Sequence, residues 1–353
     1  MLTFNQNYFK KSTLVDIRSI EMNKILVTGA SGYLALHTIL QLLKKGLHVK
    51  GTVRNISRTD EIHQALKKND CSIEKLELVQ VDLLQEEGWD EAFKDITHVL
   101  HMAAAFTSKP ISTDEYMKPQ LEGTKRILEL CKKHNVKQLI QTSSFAAVYN
   151  TKESKTTFNE DDWSDASLPS IPDYDKSKTL AEKLCWDFVA DNQSSFSFTS
   201  INPAGIIGPS LSSDLGVTND FIEQIVKGKI PMAPKMHLGW VHVEDVALAH
   251  VNAIDNLKVA GERVILYESA LWFKDVGQIL HDAGFKKAPT KEMANWMVKV
   301  FGLFDASTKL LIPYLGKEKN CNSQKARELL SMYTKSSKQA FIEAATKLTS
   351  NLK

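Results

Sequence analysis

Apolar positions along the chain follow two patterns, and their alternation predicts the fold. Short apolar runs are typical of buried parallel strands, whereas apolar residues three or four apart indicate helices that bury one face. The first strand is predicted at 24–28, and Gly46 ends the helix that follows it. The apolar face of that helix is formed by Leu34, Leu36, Ile39, Leu40, Leu42 and Leu43. Further strands are predicted at 48–53, 76–81, 98–101, 138–143 and 197–202, and further helices within 114–133 and over 175–191.

A glycine turn lies between the first strand and the first helix. Gly29, Gly32 and Ala35 follow the strand with GxxGxxA spacing. A glycine at 29 permits a tight turn, and a glycine at 32 lets backbone N–H groups approach a pyrophosphate at the helix N-terminus. A small residue at 35 lets the helix pack closely on the strand. Strand, turn and helix together predict a dinucleotide-binding unit.

The second strand ends in an arginine rather than in an acid. In the more familiar fingerprint, an acidic residue about 20 residues after the turn holds the ribose hydroxyls of NAD. Here Arg54 stands at that place, with Arg58 close behind. A guanidinium can bind a 2′-phosphate bidentately, whereas an acid would repel it. The sequence therefore favours NADP(H) over NAD; the alternative is that Arg54 is an ordinary solvated loop cation.

Strands that alternate with helices predict a parallel sheet with right-handed crossovers. After Pro203 glycine and proline break the chain into short pieces, and later apolar segments at 270–283 and 294–303 have helical spacing. The predicted fold class is α/β, a Rossmann-type doubly wound parallel sheet with a smaller C-terminal α/β substrate-binding cap. We assign 22–203 to the NADP-binding domain, with the catalytic residues. We assign 204–353 mainly to the cap, with some segments returning to the first domain.

Composition excludes several other classes of protein. Lys and Arg number 44 against 42 Asp and Glu, and no basic run is dense enough to indicate nucleic-acid binding. The one long uncharged run, 25–43, contains the glycine turn and polar residues, which argues against a membrane span. The four cysteines are far apart and predict free thiols in a reducing cytoplasm, and no histidine spacing indicates a metal site. Residues 1–21 lack the apolar core of a signal peptide and are interpreted as a disordered extension or an upstream start before Met22.

Candidate chemistry begins with Tyr174 and Lys178, a YxxxK pair at the start of a predicted helix. Four residues apart, they project from one face, and the ammonium is expected to lower the tyrosine pKa from its ordinary value of about 10. Such a pair alone is also typical of a solvated helix face. Hydroxyls at the C-terminal end of the preceding strand, however, face the cleft and can donate to a substrate carbonyl oxygen. They belong to Thr142, Ser143 and Ser144. The glycine turn, the strand that ends in hydroxyls and the helix that carries the tyrosine follow one another in this order. Together they predict a nicotinamide-dependent active site.

These motifs resemble those of the extended short-chain dehydrogenase/reductase family. Within it, the chain is most similar to the branch of dihydroflavonol 4-reductases, cinnamoyl-CoA reductases and yeast methylglyoxal (aldehyde) reductase. The likeness is carried by TGASGYLA at 28–35, GTVRN at 51–55, TSSFAAVY at 142–149, YDKSKTLAEK at 174–183 and NPAGIIGP at 202–209. The branch often has Ser-Pro where this chain has Ala104-Ala105 beside the substrate cleft, so no plant flavonoid or lignin substrate is carried over.

The resemblance also implies residue roles. Ser144 is the serine it points to, acting with Tyr174 and Lys178 as the catalytic residues. The cofactor-binding residues it implies are Gly29, Ser31, Gly32, Tyr33 and Leu34 at the pyrophosphate, Arg54 at the 2′-phosphate, Asp82 and Leu83 at the adenine, Ala103 and Ala104 at the ribose, Pro203 and Ile206 at the nicotinamide, and Tyr174 and Lys178 from the catalytic set.

The leading hypothesis is an NADPH-dependent reductase that converts an aldehyde or ketone to an alcohol, with hydride from the nicotinamide and a proton from Tyr174. Its expected partner is a small carbonyl substrate, with no nucleic acid and no membrane, and the enzyme is a monomer or homodimer. An NAD-dependent sugar-nucleotide epimerase or dehydratase uses the same tyrosine and lysine, but often has an acid where Arg54 stands. A non-catalytic NADP-binding redox sensor is the third hypothesis, although such proteins usually lose the tyrosine or the lysine.

Overall fold

The computed structural model describes residues 23–104, 112–191, 195–322, 324–332 and 334–350. Its strands are β1 (Lys24–Val27), β2 (His48–Val53), β3 (Leu76–Gln80), β4 (His98–His101), β5 (Gln138–Thr142), β6 (Thr157–Phe158), β7 (Ser197–Pro203), β8 (Gly205–Ile207), β9 (Ala233–Pro234), β10 (His237–His242), β11 (Arg263–Leu266), β12 (Ser269–Trp272), β13 (Glu292–Met293) and β14 (Asn320–Cys321). Its α-helices are α1 (Tyr33–Lys44), α2 (Thr59–Lys67), α3 (Trp89–Phe93), α4 (Thr113–Lys133), α5 (Asp173–Asp191), α6 (Val217–Val226), α7 (Val243–Ala253), α8 (Phe273–Asp282), α9 (Asn295–Phe301), α10 (Ala306–Lys309), α11 (Gln324–Leu330) and α12 (Ser337–Ser350).

Seven strands form the central sheet, in the order β3-β2-β1-β4-β5-β7-β11. Every neighbouring pair is parallel. The strand order reverses direction between β1 and β4, which creates a crevice beyond their carboxyl ends. In a doubly wound sheet this crevice is the place for a ligand, and the glycine turn opens directly into it.

Helices cover both faces of the sheet because the side chains of its strands alternate. In β1, Ile25 and Val27 belong to the cluster that includes apolar residues of α1 and α7, whereas Leu26 belongs to the cluster with α4 and α5. All three side chains are fully buried. A strand with apolar residues on both faces is what an internal parallel strand requires. Helix α4 begins at a capping box, in which Ser112 and Glu115 satisfy each other's backbone N–H groups.

The cap is built on a second sheet, β8-β10-β12, in which β10 is parallel to β8 and antiparallel to β12. Helices α6, α8 and α12 pack with it around a separate apolar core that includes Trp240 and Phe341. Two short parallel pairs, β9 with β13 and β6 with β14, complete the strands. The second pair joins a segment after β5 to the C-terminal part of the chain.

The predicted fold class, a Rossmann-type doubly wound sheet with a smaller α/β cap, is confirmed. Strand β11 lies at the edge of the main sheet beside β7, so the chain returns to the first domain after Pro203. The predicted helix at 270–283 is wrong at its start, because Ser269–Trp272 is a strand. Those residues pair with β10, and the helix begins only at Phe273. Along the described chain, no helix is both long enough and apolar enough to span a bilayer.

Candidate active site at the carboxyl edge of the sheet

The glycine turn is held in a conformation that needs glycine. Gly29 has φ +74°, and a Cβ there would lie 3.1 Å from the Cα and Cβ of Ala103. Its backbone N–H donates to the hydroxyl of Thr52 at 3.0 Å. The hydroxyl of Thr28 accepts hydrogen bonds from the N–H groups of Met102 and Ala103, both at 3.0 Å. The ends of β1 and β4 are therefore fastened together beside the predicted ribose site.

Gly32 is the N-cap of α1, with an extended backbone and no side chain capping the first turn. The N–H groups of a first turn have no partner within the helix and attract an anion. The side chain of Tyr33 points away, since its hydroxyl donates to the carbonyl of Gly208 at 2.9 Å. The predicted contribution of Tyr33 to the pyrophosphate site is therefore that of its backbone N–H, and the predicted roles of Ser31 and Leu34 in the same turn stay predictions.

Arg54 follows β2 directly and is exposed, and it forms no ion pair with any residue that the structure describes. Arg58, by contrast, is bound to Glu61 at 2.9 Å. The same carboxylate accepts a hydrogen bond from the backbone N–H of Ser213 at 2.8 Å. The two neighbouring arginines therefore differ: Arg58 is committed to a protein carboxylate, whereas the guanidinium of Arg54 is available to a phosphate.

The remaining predicted cofactor residues lie on loops at the same edge. The carboxylate of Asp82 accepts from the N–H of Leu84 at 2.8 Å, and Leu83 packs against Gly123 of α4. Ala103 and Ala104 follow β4, Pro203 ends β7 and Ile206 lies in β8. Ala105 falls outside the described residues.

Two adjacent serines at the end of β5 have different partners. The hydroxyl of Ser143 donates to the buried carboxylate of Glu182 at 2.6 Å. The hydroxyl of Ser144 instead hydrogen-bonds with the phenol of Tyr174, which projects from the first turn of α5. This geometry supports the predicted role of Ser144 and gives Ser143 a structural one.

The expected effect on the pKa of Tyr174 is wrong. Burial raises this pKa above its ordinary value, and the hydrogen bond from Ser144 only partly opposes the increase. The ammonium of Lys178 donates to the carbonyl of Thr142 at 3.0 Å, and burial remains the larger influence on the phenol. A phenol that keeps its proton is the form in which tyrosine acts as an acid.

Lys178 itself is buried beneath the cleft, with 6% of its surface exposed. Burial lowers its pKa to about 8, and the carboxylate of Glu182 acts in the opposite direction. At neutral pH the side chain therefore remains mostly charged. A buried ammonium fixed at the end of β5 can bind ribose hydroxyls and attract negative charge that develops on the phenol.

Sequence reasoning missed Glu182, which organises the site from below. Its carboxylate accepts from Ser143 and from the Asn202 amide, both at 2.6 Å, and from the guanidinium of Arg263, also at 2.6 Å. The Asn202 amide also donates to the carbonyl of Ser144 at 3.2 Å. The spacing along the helix could have revealed Glu182, because it follows Lys178 by four residues on the face that carries Tyr174.

Two further observations bear on the chemistry. Within the described ranges, no group of three or more His, Cys, Asp or Glu side chains could hold a metal ion. All four cysteines are free, as predicted. The active-site candidates are therefore the serine, tyrosine and lysine beside an anion-binding turn, an arrangement that suits proton transfer next to a bound dinucleotide.

Comparison with known proteins identifies the family of the chain. The model of the NAD dependent epimerase/dehydratase family matches residues 25–266. The chain belongs to this family. Within it, the chain is 35% identical over 267 residues to cinnamoyl-CoA reductase CAD2 of Medicago truncatula. The aligned region covers 74% of this chain and 80% of that relative. The chain is 30% identical over 285 residues to NADPH-dependent methylglyoxal reductase GRE2 of Saccharomyces cerevisiae, covering 73% and 82%.

A solved structure extends the likeness over nearly the whole chain. Gre2 of Candida albicans in complex with NADPH superposes with a TM-score of 0.76 at 25% identity, covering 94% of this chain and all of that one. The predicted family and branch are confirmed, since cinnamoyl-CoA and methylglyoxal reductases are among these relatives.

Proposed function

We propose that the protein is an NADPH-dependent oxidoreductase that reduces an aldehyde or ketone to an alcohol. The observation that carries this proposal is the convergence of Ser144, Tyr174 and Lys178 at the end of β5, in the crevice that the Gly29–Gly32 turn also enters. The relatives named above are reductases, and two of them are named with NADPH.

Each of the three side chains has a separate task. When bound, NADPH supplies the hydride for the carbonyl carbon. The phenol of Tyr174 gives its proton to the carbonyl oxygen as negative charge develops there, and Ser144 donates a hydrogen bond that orients this oxygen. The ammonium of Lys178 stabilises the resulting phenolate and holds the nicotinamide ribose. Burial, which raises the pKa of Tyr174, keeps the phenol protonated until it is needed.

The residues at the turn fit a dinucleotide phosphate. Gly29 lets the chain pass close to Ala103, Gly32 leaves the first turn of α1 without a side-chain cap, and Arg54 is free to bind a 2′-phosphate. An acid at position 54, which an NAD-dependent epimerase often has, is absent here. This observation favours the reductase over the epimerase.

Arg54→Ala is expected to raise the Kd for NADPH about 10- to 100-fold, the effect of losing a charge-assisted bidentate contact. The Kd for NADH should not change, because NADH lacks the 2′-phosphate. Titration of both cofactors by nucleotide fluorescence measures the two constants. Arg58→Ala is the matched control and should affect NADPH less, since Arg58 is already bound to Glu61. An equal loss of affinity for both cofactors would contradict the assigned contact.

The function is tested by NADPH oxidation against a panel of carbonyl compounds, with NADH in parallel. The panel contains methylglyoxal, branched aliphatic aldehydes, aromatic aldehydes, a dihydroflavonol and a cinnamoyl thioester. Turnover with NADPH well above that with NADH is the expected result. If no carbonyl compound is reduced, co-purified NAD would favour the epimerase, and NADPH binding without turnover would favour the redox sensor.

The compartment, the assembly and the substrate range are also proposals. Four free cysteines support a reducing compartment, and we place the enzyme in the cytoplasm. A monomer or homodimer is proposed as its assembly. The panel decides whether its substrates are dihydroflavonol-like or simple aldehydes.

A further inference from the structure

A buried carboxylate stands next to the proposed proton donor. Asp175 follows Tyr174 in α5, and only 1% of its surface is exposed. One carboxylate oxygen accepts from the hydroxyl of Tyr149 at 3.0 Å and from the Asn150 amide at 2.8 Å. The other accepts from the hydroxyl of Tyr314 at 2.9 Å. An acid this deep requires compensation, because desolvating a charge is costly.

A buried cation provides that compensation through the same two tyrosines. Lys319 is 4% exposed, and its Nζ lies 3.5 Å from the ring centroid of Tyr149 and 4.5 Å from that of Tyr314. Among the described residues, no carboxylate lies within 4.0 Å of this ammonium. The two rings therefore receive the cation on their faces, while their hydroxyls donate to Asp175.

These four residues, Asp175, Tyr149, Tyr314 and Lys319, are named here the tyrosine clamp. They come from different parts of the fold. Tyr149 follows β5 and Asp175 lies in α5, whereas Tyr314 and Lys319 precede β14. The clamp thus fastens the C-terminal segment onto the first turn of the helix that carries Tyr174, as the pairing of β14 with β6 does nearby.

The Asp175 carboxylate acts directly on the pKa of Tyr174, and Lys319 acts on that carboxylate. The Asp175 carboxylate raises the pKa of Tyr174, after burial, which is the larger cause. Burial likewise raises the pKa of Asp175, and Lys319 opposes that increase. Burial lowers the pKa of Lys319 to about 7, with Asp175 acting in the opposite direction. The charge beside the phenol therefore depends on both partners.

We propose that the tyrosine clamp positions Tyr174 and balances the charge beside its hydroxyl, with Asp175 and Lys319 acting in opposite senses. This inference rests on the proposed reductase function and adds positioning residues to it. No step of the reaction passes through the clamp.

The groups that face the clamp are known from its contacts. Lys317 lowers the pKa of Lys319, and Tyr116 raises that of Tyr174. The hydroxyl of Tyr267 donates to the backbone carbonyl of Lys319, and the ring of His237 accepts from its backbone N–H, both at 3.1 Å. Lys178 is directed to the carbonyl of Thr142. Charge changes at Asp175 and Lys319 are therefore the dominant ones within the clamp.

The test is the pH dependence of kcat for alcohol oxidation with NADP⁺, measured as log kcat between about pH 5 and about pH 7, where Lys319 keeps its charge and Tyr174 is still protonated. In this direction Tyr174 must lose its proton, so activity rises with pH. Lys319→Met leaves the carboxylate uncompensated and should move the rise to higher pH by about one pH unit. Asp175→Asn leaves the cation and should move it to lower pH by a similar amount. The double variant should return close to the parent.

Opposite shifts that cancel are a signature that a merely structural role would not produce. Lys309→Met replaces an exposed lysine of α10 ten positions before Lys319; it is the matched control and should leave the profile in place. Unmoved profiles, or shifts of the same sign in both single variants, would overturn the proposal. If Lys319→Met does not fold, Asp175→Asn decides alone, because it keeps the shape of the side chain and predicts a downward shift.

Failure of the reductase function itself is distinguishable. A parent protein that turns over no carbonyl and no alcohol refutes the function and not the clamp. The ultraviolet titration of tyrosinate with NADP⁺ bound, taken as the difference from Tyr174→Phe, then reports the same phenol without catalysis. At the high pH of this titration Lys319 is uncharged, so Asp175→Asn alone is expected to move it, to lower pH, and an unmoved titration in that variant would refute the clamp.

Discussion

Tyr174→Phe is expected to lower kcat for carbonyl reduction by at least about 10²-fold, with the Kd for NADPH nearly unchanged. The substitution removes the only atom that can protonate the carbonyl oxygen in the proposed mechanism. It retains the ring, which packs edge-on against Tyr116 at 6.4 Å between centroids, so the first turn of α5 keeps its place. Steady-state kinetics and cofactor fluorescence measure the two quantities. Near-normal turnover in this variant would refute the catalytic assignment.

The two neighbouring serines provide a matched control for the same site. Ser144→Ala removes the hydroxyl that hydrogen-bonds with Tyr174 and should also lower kcat, by about 10²-fold. Ser143→Ala removes a donor to Glu182 instead, and should cost about 2 kcal/mol of stability while leaving kcat close to the parent value. The reverse pattern would show that Ser143 is the serine that faces the substrate.

Glu182→Ala is expected to lower the free energy of unfolding by about 3–5 kcal/mol, because it leaves Arg263 as a buried charge without its carboxylate. Glu182 is fully buried, and Arg263 is only 7% exposed. The guanidinium would keep its bonds to the carbonyls of Glu160 and Asp162, at 2.6 and 2.8 Å, but these do not neutralise it. Denaturant unfolding, followed by circular dichroism, measures the loss.

Two further variants distinguish the loss of the Glu182 charge from a general effect of substitution in α5. Glu182→Gln preserves the volume and can still accept from Ser143 and Asn202, so its cost should be smaller than that of Glu182→Ala. Asp187 is exposed on the same helix, and Asp187→Ala should change the free energy of unfolding by less than about 0.5 kcal/mol. A loss for Glu182→Ala no larger than that for Asp187→Ala would show that the network contributes little.

Local patterns predicted most strands of the main sheet to within a residue. Strand β2 and strand β4 have the predicted bounds, and β1 and β3 differ from theirs by one residue at the end. Strands β1 and β4 are buried along most of their length, so the limits of their short apolar runs are visible in the sequence. The start of the 270–283 segment was wrong because pairing with β10 across the chain, rather than local spacing, decides the conformation of Ser269–Trp272.

The pKa of Tyr174 shows the same limit at the site. From spacing, Lys178 was expected to act on the phenol, since the two residues share a helix face. The tertiary structure directs the ammonium to the carbonyl of Thr142 at the end of β5 and buries the phenol, so burial sets the direction of the pKa shift. Sequence spacing identifies which side chains share a face, but it contains no information about desolvation.

The sequence by itself determined the family, the fold class, the glycine turn and the candidate set of Ser144, Tyr174 and Lys178, because these depend on residues close together in the chain. The tertiary structure gave the two serines different partners, with Glu182 bound to Ser143 and Tyr174 beside Ser144. It alone brought Lys319 to Asp175, which is 144 positions earlier in the chain. Long-range packing decides which polar groups are buried together, and burial sets the strength of their interactions.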